Sequence, residues 1–393
     1  MRAFIRGVVV IAAALVPSLS AVAQPGMMGG FGGGQMFDPG VSTRDLDKYA
    51  EFLSMTPEQK EAAAALLDGY QTEFDRMAKE MREATDAARE EFRDTRDFTV
   101  WDDLRPKMEA FQAKRKELEG TLLRDVKDLM TDEQAARWPE LERLRRRDTT
   151  LRRGFLSGET VDVVKLVEDS ALPAEAMEQV RPLLSQYEIE LDRVLIERNE
   201  QYEAGMGQGM ALFRQGDMAA VNELFNKARE AGAKVRDVNR RYARLIEGVI
   251  PEGQREKFSR EFKERSFPRV YREGFAGRAL DAAVNFKDVT EEQRSRIAEI
   301  RQSYDRDAEA INVKWSKAIE ENEMTITPME MMGGGGGPAL REGRTARREL
   351  DQRTVDKLKA VLTEDQVKRL PERRERDEAD GDRPMPRPRR GET

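Results

Sequence analysis

The side chains of this chain that could carry chemistry are carboxylates, arginines and methionines, because its 393 residues include no His and no Cys. The commonest general base, the commonest metal ligand and the thiolate nucleophile are therefore missing. Paired carboxylates can act as acid and base, but Asp and Glu here alternate with Lys and Arg, as in EEFRDTRD (90–97). Such runs are typical of solvated helix faces with weak ion pairs. We predict that the protein is not an enzyme and has no cofactor.

Methionine offers the one alternative chemistry. Thioether sulfurs are soft ligands that select Cu(I), and a glycine-rich segment would let several of them converge. The segment MTITPMEMMGGGGGP (324–338) holds the candidate cluster Met324, Met329, Met331 and Met332. The alternative is that these are loop residues under weak constraint, since thioethers also fill irregular apolar sites. We favour this second interpretation and predict no metal site.

The most regular spacing belongs to the tetrad Thr-x-x-Gln, which occurs four times, each time before a long charged and apolar run. This is a helix-start pattern: the Thr hydroxyl accepts from the backbone N–H three residues on, and the Gln side chain reaches back to the Thr N–H. Pro57 agrees, because its missing N–H costs nothing at the first helical position. The residues predicted to cap helices are Thr56 and Gln59, Thr131 and Gln134, Thr290 and Gln293, and Thr363 and Gln366.

Internal similarity indicates three copies of one module. Tyr70, Tyr187 and Tyr304 follow one another at intervals of 117 residues. Each lies 14 residues after a helix start, at Thr56, Pro173 and Thr290, and five before an acidic residue, at Asp75, Asp192 and Glu309. The second helix starts are Thr131, Pro251 and Thr363, so proline replaces threonine in the middle copy. We interpret the tyrosines as packing residues whose hydroxyl reaches an edge.

The elements that position these residues are predicted to be long helices. Apolar residues recur at steps of three and four, as in Leu67, Tyr70, Phe74, Met77 and Met81, and this alternation predicts a coiled-coil seam. A second run from Leu104 to Leu129 supplies the returning helix. A helix from Thr56 to Arg96 would be about 60 Å long. The predicted fold is all-α, with elongated antiparallel helical hairpins in three tandem repeats.

The N-terminus predicts export. Arg2 and Arg6 precede an apolar stretch (7–16), and a small-x-small site ends at Ala23, before Gln24. This pattern is typical of a cleaved secretory signal peptide, and no later stretch is long and apolar enough to span a bilayer. We expect a periplasmic protein, with secretion as the alternative.

The predicted organisation follows from these signals. The segments are a signal peptide (1–23), a Gly/Met-rich flexible leader (24–36), helical module 1 (37–152), module 2 (153–272), module 3 (273–376) with a flexible tip (324–338), and a disordered charged tail (377–393). Proline and five glycines predict the irregular tip, and charge with proline predicts the disordered tail.

The tetrads, the signal peptide and the helical pattern together resemble the Spy/CpxP family of periplasmic stress proteins, which carries Leu-Thr-x-x-Gln motifs at helix starts. The pattern matches fully at Leu362-Thr363-Glu364-Asp365-Gln366, and with Met or Val in place of Leu at the other three tetrads. The resemblance implies a helical-hairpin fold, often dimeric. It also implies a protein that holds unfolding envelope proteins without ATP or modulates an envelope-stress sensor.

Charge and composition bound the partners. The formal net charge is −7, and it becomes −9 once Arg2 and Arg6 leave with the signal peptide. Nucleic-acid binding needs a basic footprint, so we expect no nucleic-acid partner. Unfolded or envelope proteins are the expected partners, and a homodimer is possible under the resemblance. The first hypothesis is a chaperone-like binding protein or stress modulator, and the alternative is a structural scaffold of the envelope.

Overall fold

The computed structural model describes residues 37–97, 99–332 and 337–373. Within these ranges the regular elements are helices and no strand is formed, which confirms the predicted all-α class. The predicted signal peptide with its Ala23–Gln24 site, the leader (24–36) and the tail (377–393) lie outside the described residues.

The described residues up to Ala136 form one compact unit, and those from Arg137 onward form a second. The first unit contains α1 (Thr43–Phe52), α2 (Pro57–Thr95), α3 (Val100–Asp128) and α4 (Asp132–Ala136). The second contains α5 (Trp138–Thr150), α6 (Val163–Asp169), α7 (Ala174–Gln215), α8 (Met218–Val249), α9 (Glu252–Ser266), α10 (Pro268–Tyr271), α11 (Phe275–Val284), α12 (Glu291–Thr325), α13 (Pro328–Met332), α14 (Pro338–Val361) and α15 (Glu364–Lys368).

In the first unit, α2 and α3 pack along their length. Phe92 contacts Trp101 next to the connection, and Phe74 contacts Phe111 farther along, so the two helices run in opposite directions. Their facing apolar residues form one buried cluster. Phe74 has no exposed surface, and burial of one such side chain stabilises the fold by about 1.5–3 kcal/mol. At the C-terminal end of α2, Arg96 adopts a left-handed φ of 57°, which ends the helix.

The second unit is built on two such antiparallel pairs, α7 with α8 and α12 with α14. The apolar cluster between α7 and α8 includes Tyr187, Leu191 and Ile246, each almost fully buried. Gly216 ends α7 with a φ of 76°, a conformation that glycine adopts without strain. Asp217 then caps α8 by accepting from the Ala220 N–H.

The boundary between the two units lies after Ala136, whereas the sequence predicts the first module boundary after residue 152. Helix α5 lies in the second unit because it packs on α7. Arg146 pairs with Asp192, and Arg147 pairs with Glu188 of α7 and with Asp162 at the start of α6. A connecting helix therefore packs on the outgoing helix that follows it in the chain.

The predicted flexible tip (324–338) also differs from the structure. Helix α12 continues to Thr325, and α13 occupies Pro328–Met332. The reason is a capping box: Thr327 N donates to Glu330 Oε2, and Glu330 N donates to Thr327 Oγ1. The signal was present in the sequence, because Thr-Pro-x-Glu is a helix start of the same type as the tetrads. The glycines at 333–336 lie outside the described residues.

Candidate functional site

All four tetrads lie at helix starts. Thr56, Thr290 and Thr363 are N-caps with both hydrogen bonds of a capping box. Thr131 makes the same pair before α4, since its N–H donates to Gln134 Oε1 at 3.0 Å and its Oγ1 accepts from Gln134 N at 3.3 Å. Each Gln carbonyl thus satisfies one backbone donor that the helix leaves open.

The glutamine amides do something that the sequence did not predict, because they meet in pairs. Gln59 Nε2 donates to Gln134 Oε1 at 2.8 Å, and Gln134 Nε2 donates back to Gln59 Oε1 at 3.1 Å. Gln59 Nε2 also donates to the Leu129 carbonyl at the end of α3. Gln134 Nε2 donates to the carbonyls of Leu53 and Ser54, after α1. We call this arrangement the amide clasp.

A second amide clasp joins the other two tetrads. Gln293 Nε2 donates to Gln366 Oε1 at 3.0 Å and to the Val361 carbonyl at 2.9 Å. Gln366 Nε2 returns a longer contact to Gln293 Oε1 at 3.4 Å and donates to the Asp288 carbonyl at 3.1 Å. Each clasp therefore caps two helix starts and ties each start to the chain segment that precedes the other start. It joins the open ends of a long helix pair, and its groups are neutral, so it offers no acid, base or nucleophile.

The middle copy has no such clasp. Pro173 and Pro251 are the N-caps of α7 and α9, with no side-chain hydrogen bond. Ala176, three residues after Pro173, is buried and carries no amide. Gln254, three residues after Pro251, keeps a buried Oε1 with no hydrogen bond in the described part of the chain. The end of α8 is satisfied instead by Arg255, which donates to the Ile250 and Gly248 carbonyls.

The sequence pattern predicts that the three tyrosines are packing residues whose hydroxyls reach an edge. In the structure each hydroxyl instead makes a hydrogen bond inside the protein. The Tyr70 hydroxyl accepts from Gly40 N at 2.9 Å. The Tyr187 hydroxyl accepts from Val163 N and donates to Asn239 Oδ1 at 3.0 Å. The Tyr304 hydroxyl donates to Asp351 Oδ1 at 2.8 Å. Burial raises the pKa of the Tyr187 and Tyr304 phenols above the ordinary value, so both remain protonated donors.

A fully buried ion pair anchors the loop between α5 and α6. Glu159 and Arg198 have no exposed surface, and Arg198 Nη1 donates to Glu159 Oε1 at 3.0 Å. The other carboxylate oxygen of Glu159 accepts from the N–H groups of Phe155 and Leu156. Tyr202 donates to Glu159 Oε1 from α7. Such satisfaction is what a buried charge requires, and sequence spacing gave no sign of it, since 39 residues separate the two partners.

The methionines of the candidate copper cluster differ in their exposure to solvent. Met324 and Met329 are 41% and 55% exposed, and Met331 is half-buried, while the side chain of Met332 lies outside the described part. The Met324 sulfur is 3.8 Å from Arg236 Nη1, a cation that opposes metal binding there. Among the described residues, no three acidic side chains are grouped closely enough to hold a metal ion.

None of the helices in the described ranges combines the length and the apolar content that crossing a lipid bilayer requires.

The chain matches no protein-family model, and no curated protein or solved structure matches it.

Proposed function

We propose that this chain is an exported, non-catalytic helical binding protein built from three copies of one module, and that a groove on its first copy takes a basic amphipathic helix of a protein partner. Kinship with the Spy/CpxP family, a periplasmic location and coiled-coil hairpins are parts of the same proposal. The four capped tetrads and their two amide clasps support it.

Equivalent contacts at equivalent positions support the three copies. Glu119, Asn239 and Asp351 each lie 12 residues before the second helix start of their copy. Asn239 and Asp351 accept from the tyrosine hydroxyl of their own copy. A methyl group added at Gly40, whose N–H binds Tyr70, would lie 2.1 Å from Glu119 Oε2. Asn239 also donates to the Gly158 and Glu159 carbonyls, and a methyl group at Gly274 would lie 2.6 Å from Asp351 Oδ2. The acid or amide therefore lies next to the chain before the first helix in each proposed copy.

The groove lies between α1 and α2 and has a volume of about 220 Å³. Leu46, Met55 and Leu67 are buried apolar residues of its lining. The charged residues of the lining are Asp47, Asp68 and Lys60, so carboxylates outnumber the cation by two to one. The lining residues all belong to the first unit. Concave apolar surfaces with a few charged groups are the usual form of binding sites.

The main support for the proposal is the position of α5 on the second copy, because it indicates what kind of helix would bind in the groove of the first. Arg147 of α5 pairs with Asp162 and Glu188, and 117 residues earlier these positions are Asp45 and Gln71. Gln71 lines the groove and Asp45 lies in the first turn of α1. The surface that receives α5 in the second copy therefore corresponds to the groove of the first. Helix α5 buries Trp138 and Leu141 and carries four arginines, so the occupant is a helix with apolar anchors and basic flanks.

A defined helical occupant favours a scaffold or adaptor over a holder of unfolded chains. Most apolar residues of the long helices are buried between their partners. The exposed large ones are few on any one helix, with Ile189, Ile196 and Phe213 on α7 and Leu245 and Val249 on α8. A chaperone needs a contiguous apolar surface. We expect that stoichiometric amounts of the purified chain do not slow the aggregation of a denatured substrate. Clear suppression would favour the chaperone hypothesis instead.

The groove is tested with the chain's own helix as the probe. A fluorescent peptide of residues 138–153 is titrated with the full mature chain, and binding is followed by anisotropy. Ala64 lines the groove and is exposed, so Ala64→Trp fills it, and we expect affinity to fall by at least about tenfold through steric exclusion. Ala65 is exposed on the same helix but outside the lining, so Ala65→Trp is the matched control and binds normally.

Two results would remove the groove from the proposal. One is peptide binding that Ala64→Trp leaves unchanged, and the other is no binding at millimolar chain. A peptide with Leu141 and Leu144 replaced by Asp checks that the apolar anchors carry recognition, because it keeps the arginines. If that peptide bound as well as the native one, the attraction would be one of charge alone.

A further inference from the structure

The second unit contains a strongly basic pocket at which four parts of the chain converge. Its cavity volume is about 80 Å³, and Trp315, Phe275 and Val270 contribute its apolar lining. The charged lining consists of six arginines and one carboxylate: Arg269, Arg272, Arg344, Arg347, Arg348, Arg373 and Asp351. Six cations against one anion is the reverse of the net charge of the chain, which is −7.

The one carboxylate is already engaged. Asp351 accepts from the Tyr304 hydroxyl at 2.8 Å and lies 3.4 Å from Arg347 Nε. Arg347 also donates to Asn312 Oδ1 and to the Tyr304 hydroxyl. The nearby Glu273 is turned toward Asp281, which together with burial raises the pKa of Glu273. No carboxylate in the lining remains to balance the other arginines.

Three of these arginines have no hydrogen bond or ion pair within the described residues. They are Arg269 of α10 and Arg344 and Arg348 of α14. Arg344 and Arg348 are four residues apart, so both guanidinium groups lie on one face of α14, where like charges are destabilising. Arginine stays protonated throughout the accessible pH range, so this repulsion cannot be relieved by loss of a proton.

Close packing holds this arrangement together. A methyl group at Gly343 would lie 2.5 Å from the Trp315 ring, and one at Gly274 would lie 2.6 Å from Asp351 Oδ2. Both glycines therefore allow helix and loop backbones to approach the pocket. Arg373 stacks over the Phe275 ring at 5.1 Å, which orders its side chain. The pocket is thus formed by the packing of α10, α14 and the chain after α15.

We propose that this pocket binds a phosphoryl group, either as free inorganic phosphate or as the monoester headgroup of a phospholipid. Guanidinium groups match phosphate oxygens with paired, charge-assisted hydrogen bonds, and a cluster of them is the usual recognition element for such groups. A volume of about 80 Å³ is several times the roughly 10–15 Å³ of cavity that one water molecule needs. That space fits one tetrahedral oxyanion, with any larger group outside the pocket.

The test uses the full mature chain and isothermal titration with inorganic phosphate, with pyrophosphate as a second probe, at constant ionic strength. The pocket variant is Arg344→Gln/Arg348→Gln. Arg341 and Arg353 are exposed on the same helix and outside the lining, so Arg341→Gln/Arg353→Gln removes the same charge elsewhere. We expect phosphate affinity to fall by at least about tenfold in the pocket variant, since two charge-assisted bonds are lost, and by less than about twofold in the control.

The two sources of the phosphoryl group are separated by flotation with vesicles of phosphatidylcholine, with and without phosphatidic acid. Binding of free phosphate that depends on Arg344 and Arg348 supports the soluble ligand. Binding to phosphatidic acid vesicles alone, with the same dependence, supports the headgroup. An equal loss of phosphate affinity in the pocket variant and in the control variant would mean that only net charge matters, and this would overturn the proposal. The absence of binding to every probe would overturn it as well. Thermal unfolding without ligand shows that the pocket variant folds, because removal of like charges should not lower its Tm.

Discussion

Substitution of Gln366 by Ala is the sharpest perturbation of an amide clasp. Gln366 is 2% exposed, and its side chain makes three well-formed hydrogen bonds. Its Oε1 accepts from Thr363 N at 2.9 Å and from Gln293 Nε2 at 3.0 Å, while its Nε2 donates to the Asp288 carbonyl at 3.1 Å. Alanine removes all three bonds and keeps a residue suited to the helix.

The expected cost follows from those bonds. A net contribution of about 1 kcal/mol for each gives about 3 kcal/mol. Thr363 and Asp288 are exposed residues, so water can partly replace the lost partners of their backbone groups. The expected loss is therefore about 2–3 kcal/mol in the free energy of opening of the clasp region. Gln293→Ala together with Gln366→Ala should lose about 1 kcal/mol less than the sum of the single variants, because they share a bond.

Native-state hydrogen exchange is the suitable assay. The chain has two compact units, so a single global unfolding transition is not expected to report one region. Amides of α15 and of the first turn of α12 report the opening of this clasp directly. A loss of about 2–3 kcal/mol corresponds to exchange roughly 30- to 150-fold faster at these amides.

The middle copy supplies the control. Gln254 occupies the corresponding position after Pro251, but its Oε1 has no hydrogen bond in the described part of the chain. Gln254→Ala should therefore cost less than about 0.5 kcal/mol. The reasoning fails if Gln254→Ala and Gln366→Ala cost the same. It also fails if Gln293→Ala and Gln366→Ala are additive, since the amides would then not be coupled.

Three further changes test other parts of the second unit. Arg198→Met leaves the Glu159 carboxylate buried without its cation and should destabilise the unit by about 3–5 kcal/mol in urea unfolding. Burial raises the pKa of Glu323 above 4.5, so the folded state binds this proton more tightly than the unfolded chain. The free energy of unfolding relative to Glu323→Gln should therefore increase as pH is lowered from about 7 toward 4.5, and pH-independence would contradict it. Gly343→Ala places a methyl group against Trp315 and should lower Tm and shift the Trp315 emission.

The sequence predicted well what depends on neighbours within a few residues. Helical periodicity led to the all-α class, which the structure confirms. Capping chemistry spans only four residues, so Thr56 and Gln59 carry their own signal. The Thr327–Glu330 box carried the same signal, but the glycines that follow it outweighed it in the prediction of a flexible tip.

What the sequence did not predict depends on which helices approach one another. The partners in the first clasp, Gln59 and Gln134, are 75 residues apart. The arginines of the phosphoryl pocket come from α10, α14 and the two segments that follow α10 and α15. Periodicity identifies an apolar face but says nothing about the rotation and offset of two packed helices, and these determine which polar groups meet.

Comparison of the proposed copies explains one difference in residue type. Asn239 holds the position of Glu119 and Asp351, yet an amide is required there. Its Nδ2 donates to the Gly158 and Glu159 carbonyls while its Oδ1 accepts from Tyr187, and a carboxylate could not supply the two donors. In the third copy, the partner of Asp351 is the cation Arg347, so a carboxylate is favoured. The fully buried anion of the second copy is Glu159, in the loop between α5 and α6. The second and third copies therefore both keep the contact with the tyrosine hydroxyl, but they place the acidic residue on different elements.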